Sequence, residues 1–290
     1  MSFLKNNLSD EQKEMVIAQA LETDEGRTAL AQAMVEPIRR ALEYQAVGRK
    51  LLMVDELPQG ALARYERDVA AIAHVVARRG AVPDQIQEGE EILVPTFEIA
   101  ANPTVRLSEI KARRFFIVDR AQIKAKEAIQ KEEDTNIFNA LIAAADTKGD
   151  QIVTNVGALT VASLNTAFRL IEQHDLVSAK IVCHANQYAT IRVFGKDFFD
   201  EATQREIITT GLYGHLWTAD IHVSSRMTST VVLVVASPET VGAFPIRQDI
   251  TVLPADDPKK LRLGWVIYEE VGIVIVNDYA VSKIEVTAAT

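Results

Sequence analysis

The chain has 290 residues, 48 % of them apolar and 24 % charged, with a formal net charge of −9, the profile of an ordinary globular protein with room for one large domain or two small ones. No apolar run reaches the ~18 residues of a membrane-spanning helix, and the acidic balance argues against a surface that grips nucleic acid through clustered Lys and Arg. The single cysteine, Cys183, excludes an intrachain disulfide and a multi-cysteine zinc site, and the first residues lack a signal-peptide apolar segment, so export is not expected.

In chain order, residues 1–35 are polar and helix-prone. Ser9 or Asp10 can cap a helix that carries Glu11 in its first turn. Over 1–36 three basic residues (Lys5, Lys13, Arg27) stand against seven acidic ones, a net of −4. Met15, Ile17, Ala18 and Leu21 make a stripe too thin for a core helix, which predicts an arm that depends on a partner. Pro37 opens a second short helix at a position where its missing N–H costs little, and Gly48 ends it. Leu51, Leu52, Met53 and Val54 form a short apolar run, stopped at a turn by Pro58 and Gly60.

The most informative stretch runs over 64–145. Two extended segments, 69–78 and 91–110, flank an acidic turn containing Pro83, Asp84, Glu88 and Glu90. Val69, Ala71, Ala73, Val75 and Ala77 share one strand face; Ala70, Ile72, His74, Val76 and Arg78 share the other. Neither face is strongly polar, so both are expected to meet protein. Residues 92–94 and 96–99 are predicted to return along this strand, with Pro95 interrupting the ladder. A charged helix over 119–145 follows, roughly 27 residues and ~40 Å long. Ala125, Ile129, Ile137, Leu141 and Ala145 approximate one stripe, which Glu132, Glu133 and Asp134 interrupt, predicting partial solvation. A hairpin and a helix of this length do not fit one compact core and call for a second copy of the chain.

Residues 150–254 read as an α/β unit. Its parts are a helix over 161–174 with Leu164, Phe168 and Ile171 inward, a buried strand over 180–183, helices over 185–194 and 200–209, and strands over 221–223 and 231–236. The run 241–246 is expected at a sheet edge. Strand-like runs at 265–269, 272–276 and 284–286 close the chain.

Motifs for chemistry are largely absent. Gly195-Lys196 has Thr190 where a phosphate loop needs its first glycine and Asp197 where it needs a hydroxyl. Cys183 and His184 are adjacent on a strand end and so point to opposite faces, which disfavours a thiolate–imidazole pair. His74, His174, His184, His215 and His222 show no metal-ligand spacing. The neighbouring carboxylates Glu90-Glu91 and Glu269-Glu270 read as solvated edges or intersubunit ion pairs. No catalytic residue, cofactor site or metal site is assigned. The arginine pairs Arg39-Arg40, Arg78-Arg79 and Arg113-Arg114 are solvated charge or contacts to acidic segments of neighbouring subunits. Arg78 and Arg79 beside Asp84, Glu88, Glu90 and Glu91 suggest an interchain salt-bridge ring, with Arg113 and Arg114 as further contacts.

The order of these parts, together with the phrases Glu36-Pro-Ile-Arg-Arg-Ala-Leu-Glu-Tyr-Gln, Val54-Asp-Glu-Leu-Pro-Gln-Gly-Ala-Leu-Ala-Arg-Tyr-Glu-Arg-Asp and Glu88-Gly-Glu-Glu-Ile-Leu-Val-Pro-Thr-Phe-Glu-Ile, resembles the major capsid proteins of tailed bacteriophages with the Hong Kong 97 fold. The resemblance covers nearly the whole chain. It implies an α+β fold with an amino-terminal arm (1–60), an extended β-hairpin loop (61–117), a peripheral-domain spine helix (118–149), an axial α/β domain (150–254) and carboxy-terminal strands (255–290) returning to the peripheral domain. It further implies a non-enzymatic virion protein. Its hexamers and pentamers would tile an icosahedral head in the host cytoplasm, around double-stranded DNA held without sequence-specific contacts. Portal, a separate scaffolding protein and a decoration protein are the partners it suggests, since 1–35 is too short for a built-in scaffold. Some members crosslink through a lysine in the extended loop and an asparagine in the peripheral domain. Here 69–110 contains no lysine, Lys111 lies at the base and Asn277 lacks that partner, so no covalent crosslinks are expected.

Two other readings compete. An encapsulin, a cellular nanocompartment shell of the same fold, would load an enzyme through a cargo-peptide pocket. An α/β enzyme centred on 150–254, using Cys183 or the histidines, would leave the hairpin and the long helix unexplained.

Overall fold

The β-branched residues cluster in the last third of the chain, and there the strands are longest. The computed structural model describes residues 47–58, 60–67, 89–106, 108, 116–194 and 214–287, with the side chains of 116–123 and 126 outside that description. The expected helices in 1–35, from Pro37 and over 200–209, the strand over 69–78, the hairpin tip and Gly195-Lys196 all lie outside the described residues.

A short 3-10 turn, Gly48–Lys50, leads into β1 (Met53–Glu56), β2 (Ala63–Arg67), β3 (Glu90–Val94), β4 (Phe97–Ala101) and β5 (Thr104–Arg106). The long helix α1 (Phe116–Thr147) follows, then β6 (Ile152–Val156), α2 (Val161–Glu172), β7 (Ser178–Cys183) and α3 (Ala185–Arg192). The chain continues through β8 (His215–Leu216), β9 (Ala219–Val223), β10 (Val231–Ala236), the one-turn α4 (Pro238–Val241) and β11 (Gly242–Pro254). It closes with β12 (Arg262–Val271), β13 (Val274–Ile275) and β14 (Val281–Thr287).

Among the described residues the strands form two six-stranded sheets and one hairpin. The first sheet runs β1-β11-β12-β4, with β13 on β11 and β5 on β12; the second runs β6-β14-β10-β7-β9-β8; β2 and β3 form the hairpin. Helix α1 lies against β4, β5 and β13 of the first sheet and β14 of the second. One apolar core joins Leu51, Ile137, Phe138 and Leu141 to Trp265 and Phe244 of the first sheet and to Val234 and Ile284 of the second. Capping is local. Thr160 and Ser163 exchange hydrogen bonds as a capping box at the start of α2, and His184 accepts from Asn186 N–H at the start of α3.

Several sequence expectations are corrected. Residues 92–94, expected along 69–78, pair instead with β2 (Ala63–Arg67), a strand the sequence reading did not assign, and 97–101 pairs with β12, because Pro95 ends one ladder and lets the chain turn into another sheet. The run at 242–246 is not an edge. It begins β11, which lies between β1 and β12. The terminal run at 284–286 belongs to β14 and lies between β10 and β6, so the last strand pairs with elements from the 150–254 stretch. The buried stripe on α1 runs straight through the acidic stretch: Ala125, Ile129, Glu133, Ile137, Leu141 and Ala145 are all buried, at a spacing of four residues, so Glu133 faces inward and not solvent.

Candidate intersubunit interface

Arg49 ties the turn before β1 to both α1 and β12. Its Nε donates to Glu133 Oε1 at 2.6 Å, and its Nη2 donates to Glu133 Oε2 at 3.2 Å and to Glu269 Oε2 at 3.1 Å. Both carboxyls are fully buried, and the guanidinium carbon sits 5.6 Å from the ring centroid of Phe244. Beside it, Gly48 N–H donates to Asp134 Oδ1 at 2.8 Å. These contacts explain why Glu133 and Asp134 do not face solvent as expected: each has its counter-group on the segment packed over the helix. The expectation that Glu269 is a solvated or intersubunit carboxylate is likewise overturned.

Burial raises the carboxyls of Glu133, Asp134 and Glu269, while Arg49 pulls the first and last back down and the Gly48 and Val47 N–H groups do so for Asp134. Burial would depress the guanidinium, but Glu133, then Glu269 and Asp249, outweigh it and hold it above its usual range. One guanidinium does not compensate two buried carboxylates. Glu133 takes two hydrogen bonds from Arg49 and Glu269 one; burial first, then Glu133, pushes the Glu269 carboxyl up to about 8, which favours its protonated form at neutral pH.

The hairpin is anchored at its base. Ala63 and Val94, with Tyr65 and Ile92 beside them, pack on Ala243, Val274, Leu57 and Val276. Tyr65 Oη donates to Asp55 Oδ2 at 2.8 Å, and Arg67 Nη2 donates to Asp278 Oδ2 at 2.8 Å. Arg247 Nη2 donates to Ala61 O at 3.2 Å, and its Nη1 donates to Glu270 Oε1 at 2.6 Å, which Thr96 Oγ1 also reaches. Glu270 is therefore committed within the chain, contrary to its expected intersubunit role. A Cβ at Gly272 would stand 3.0 Å from Pro245 Cγ and 3.2 Å from Val94 Cγ1, so the glycine allows this close approach. The opposite face of the hairpin, Arg64, Glu66, Glu91 and Leu93, is exposed.

Of the sequence-predicted contact residues, Glu90 and Glu91 are described and exposed, and Glu91 pairs with Arg64 at 3.1 Å. Arg78, Arg79, Asp84, Glu88, Arg113 and Arg114 lie outside the described residues, as do Arg39 and Arg40. The buried cluster around Arg49 was missed because each of its carboxylates reads locally as surface charge. The signal available was Glu133 and Asp134 at helix positions in phase with Ile129 and Ile137.

The enzyme candidates are engaged structurally. Cys183 is buried in β7 and its thiol is pushed up to about 12 by desolvation, which suppresses the nucleophilic thiolate. His184 Nδ1 caps α3, His215 Nδ1 lies 2.6 Å from Asp220, and His174 stacks on Tyr279. Among the described residues no cluster of His, Cys, Asp and Glu is arranged to hold a metal ion.

No protein-family model and no curated protein sequence matches the chain. Solved structures do. A structure of Microbacterium phage Oxtober96 superimposes with a TM-score of 0.65 at 13 % identity, over 84 % of this chain and 91 % of that one. The mature capsid of bacteriophage PhiM1 gives 0.60 at 10 % identity, over 84 % and 88 %. These likenesses define the class: the chain has the fold of phage major capsid proteins. A virus-like particle from Pyrococcus furiosus shares it, with a TM-score of 0.58 at 17 % identity over 86 % of this chain and 98 % of that one.

Proposed function

We propose that the chain is a major capsid protein that assembles as hexamers and pentamers into the icosahedral head of a tailed double-stranded DNA phage, in the host cytoplasm, by non-covalent contacts. The observation that carries this reading is the hairpin base, held by Tyr65 on Asp55, Arg67 on Asp278 and Arg247 on Ala61 O, a fixed point of departure for the extended loop proposed here. A projection with a rigid base can reach a neighbour in one defined geometry, as closed symmetric assembly requires. In this reading 61–117 is the extended loop, α1 is the spine helix, and 1–60 is an arm. A scaffolding protein, a portal and a decoration protein are its partners.

Electron microscopy of the purified chain, alone and in its native particle, tests the proposal. Capsomers or closed shells are expected, with DNA inside the native particle. A monomer in both settings would sink the reading, and shells filled with a cargo enzyme would move it to a cellular compartment.

A further inference from the structure

Strand β12 alternates between a buried face (Leu263, Trp265, Ile267, Glu269, Val271) and a half-exposed one that includes Arg262, Val266, Tyr268 and Glu270. At one end of its pairing Arg262 stands directly opposite Arg106 of β5; at the other, Glu270 stands opposite Glu98 of β4. Like charges directly opposite on a sheet are unfavourable. Glu270 is relieved by Arg247. Arg106, Arg262 and Glu98 have no ion-pair partner among the described residues.

Each end keeps a surplus of its own sign. The turn beside Arg262 sets Lys259 and Lys260 against Asp256 and Asp257, with Lys260 3.2 Å from Asp257, and so leaves the charge of Arg106 and Arg262 unbalanced. At the Gly272 end, the hairpin base adds Glu66 directly opposite Glu91, with Arg64 reaching only Glu91. Eight residues of extended strand separate Arg262 from Glu270, about 26 Å at ~3.3 Å per residue. That is several times the ~8 Å Debye length in physiological salt, so the two ends cannot neutralise one another within one copy.

Resting on the shell reading, we propose that the Arg106–Arg262 end of one copy docks on the Glu66–Glu98 end of the next, a head-to-tail contact that closes into a ring. Such a contact joins two different patches of identical chains, the arrangement that generates cyclic assemblies. DNA phosphate is the other polyanion available to the arginines, but it would leave Glu66 and Glu98 unmatched. A second copy satisfies both ends with one interface.

The test is a charge swap in the full chain. Arg106→Glu with Arg262→Glu, and separately Glu66→Lys with Glu98→Lys, should each reduce capsomer yield by roughly tenfold or more, as opposed like charges do at an interface. Thermal unfolding followed by circular dichroism should stay at the wild-type midpoint in both. The quadruple variant restores complementarity with reversed sign and should regain assembly; a mixture of the two doubly substituted chains matches every contact only by alternating, so it should regain hexamers but not pentamers. Wild-type yields from either double variant, or no recovery in the quadruple variant, would overturn the proposal. So would shells that form normally from the arginine variant yet lose their DNA. A wild-type chain that stays monomeric brings down the shell reading itself, whereas assembly indifferent to the swap removes only the head-to-tail contact.

Discussion

Arg49, its side chain 11 % exposed, shares one positive charge between the fully buried Glu133 and Glu269, and this imbalance governs the residue-scale predictions. Replacing Arg49 by Met leaves two buried carboxyls without a cation. Breaking a buried pair from one side costs roughly 3–5 kcal/mol, so R49M should lower the urea-unfolding free energy by that order, and adding E133Q and E269Q should recover part of the loss. The pH dependence has a definite sign. The folded-state value of Glu269, about 8, lies above its ordinary value of 4.5, so the folded chain holds a proton that the unfolded chain has released between those limits. The contribution of this residue is fully present below the ordinary value and is lost as pH rises through about 8, with a slope of up to ~1.4 kcal/mol per pH unit. Urea titrations at pH 6 and 8.5 should show the wild type losing stability while E269Q stays flatter. Equal slopes in the two proteins would refute the protonated Glu269.

At the scale of elements, close backbone approach and anchoring decide which strands meet. A Cβ at Gly242 would lie 2.1 Å from Val274 O and 2.9 Å from Ile275 Cα, so Gly242→Ala must push β13 away from β11. Overpacking of this kind costs roughly 1–3 kcal/mol or more, and chemical denaturation should report a loss in that range; an unchanged midpoint would contradict the contact. The hairpin is a different case, since its described anchors, Tyr65, Arg67 and Arg247, lie at its base. Deleting 80–89 removes Glu88 and Gly89 but leaves β2, β3 and the anchors Tyr65, Arg67 and Arg247. The truncated chain should unfold with the wild-type midpoint but assemble poorly. Shell yield equal to the wild type would show that residues 80–89 contribute nothing to assembly.

For the whole molecule, a shell held by contact alone has an electrophoretic consequence. The hairpin stretch 69–110 contains no lysine, and Asn277 Oδ1 already accepts from Tyr279 N–H at 3.1 Å. Particles boiled in denaturant should therefore run as a single band near 32.0 kDa; a ladder of covalent multimers would disprove non-covalent assembly. The amino-acid order was enough to locate α1, α2, β7 and β10, because periodicity and β-branching act over neighbouring residues. The missing lysine is likewise a property of composition alone. Local pattern could not say that β11 is interior, that 97–101 leaves the hairpin for β12, or that β14 joins the second sheet. Nor could it say that Glu133 and Glu269 are buried, since Arg49 stands 84 and 220 residues away from them in the chain. Strand partners and the fate of a charge are set by what folding brings alongside, and only the tertiary structure decides that.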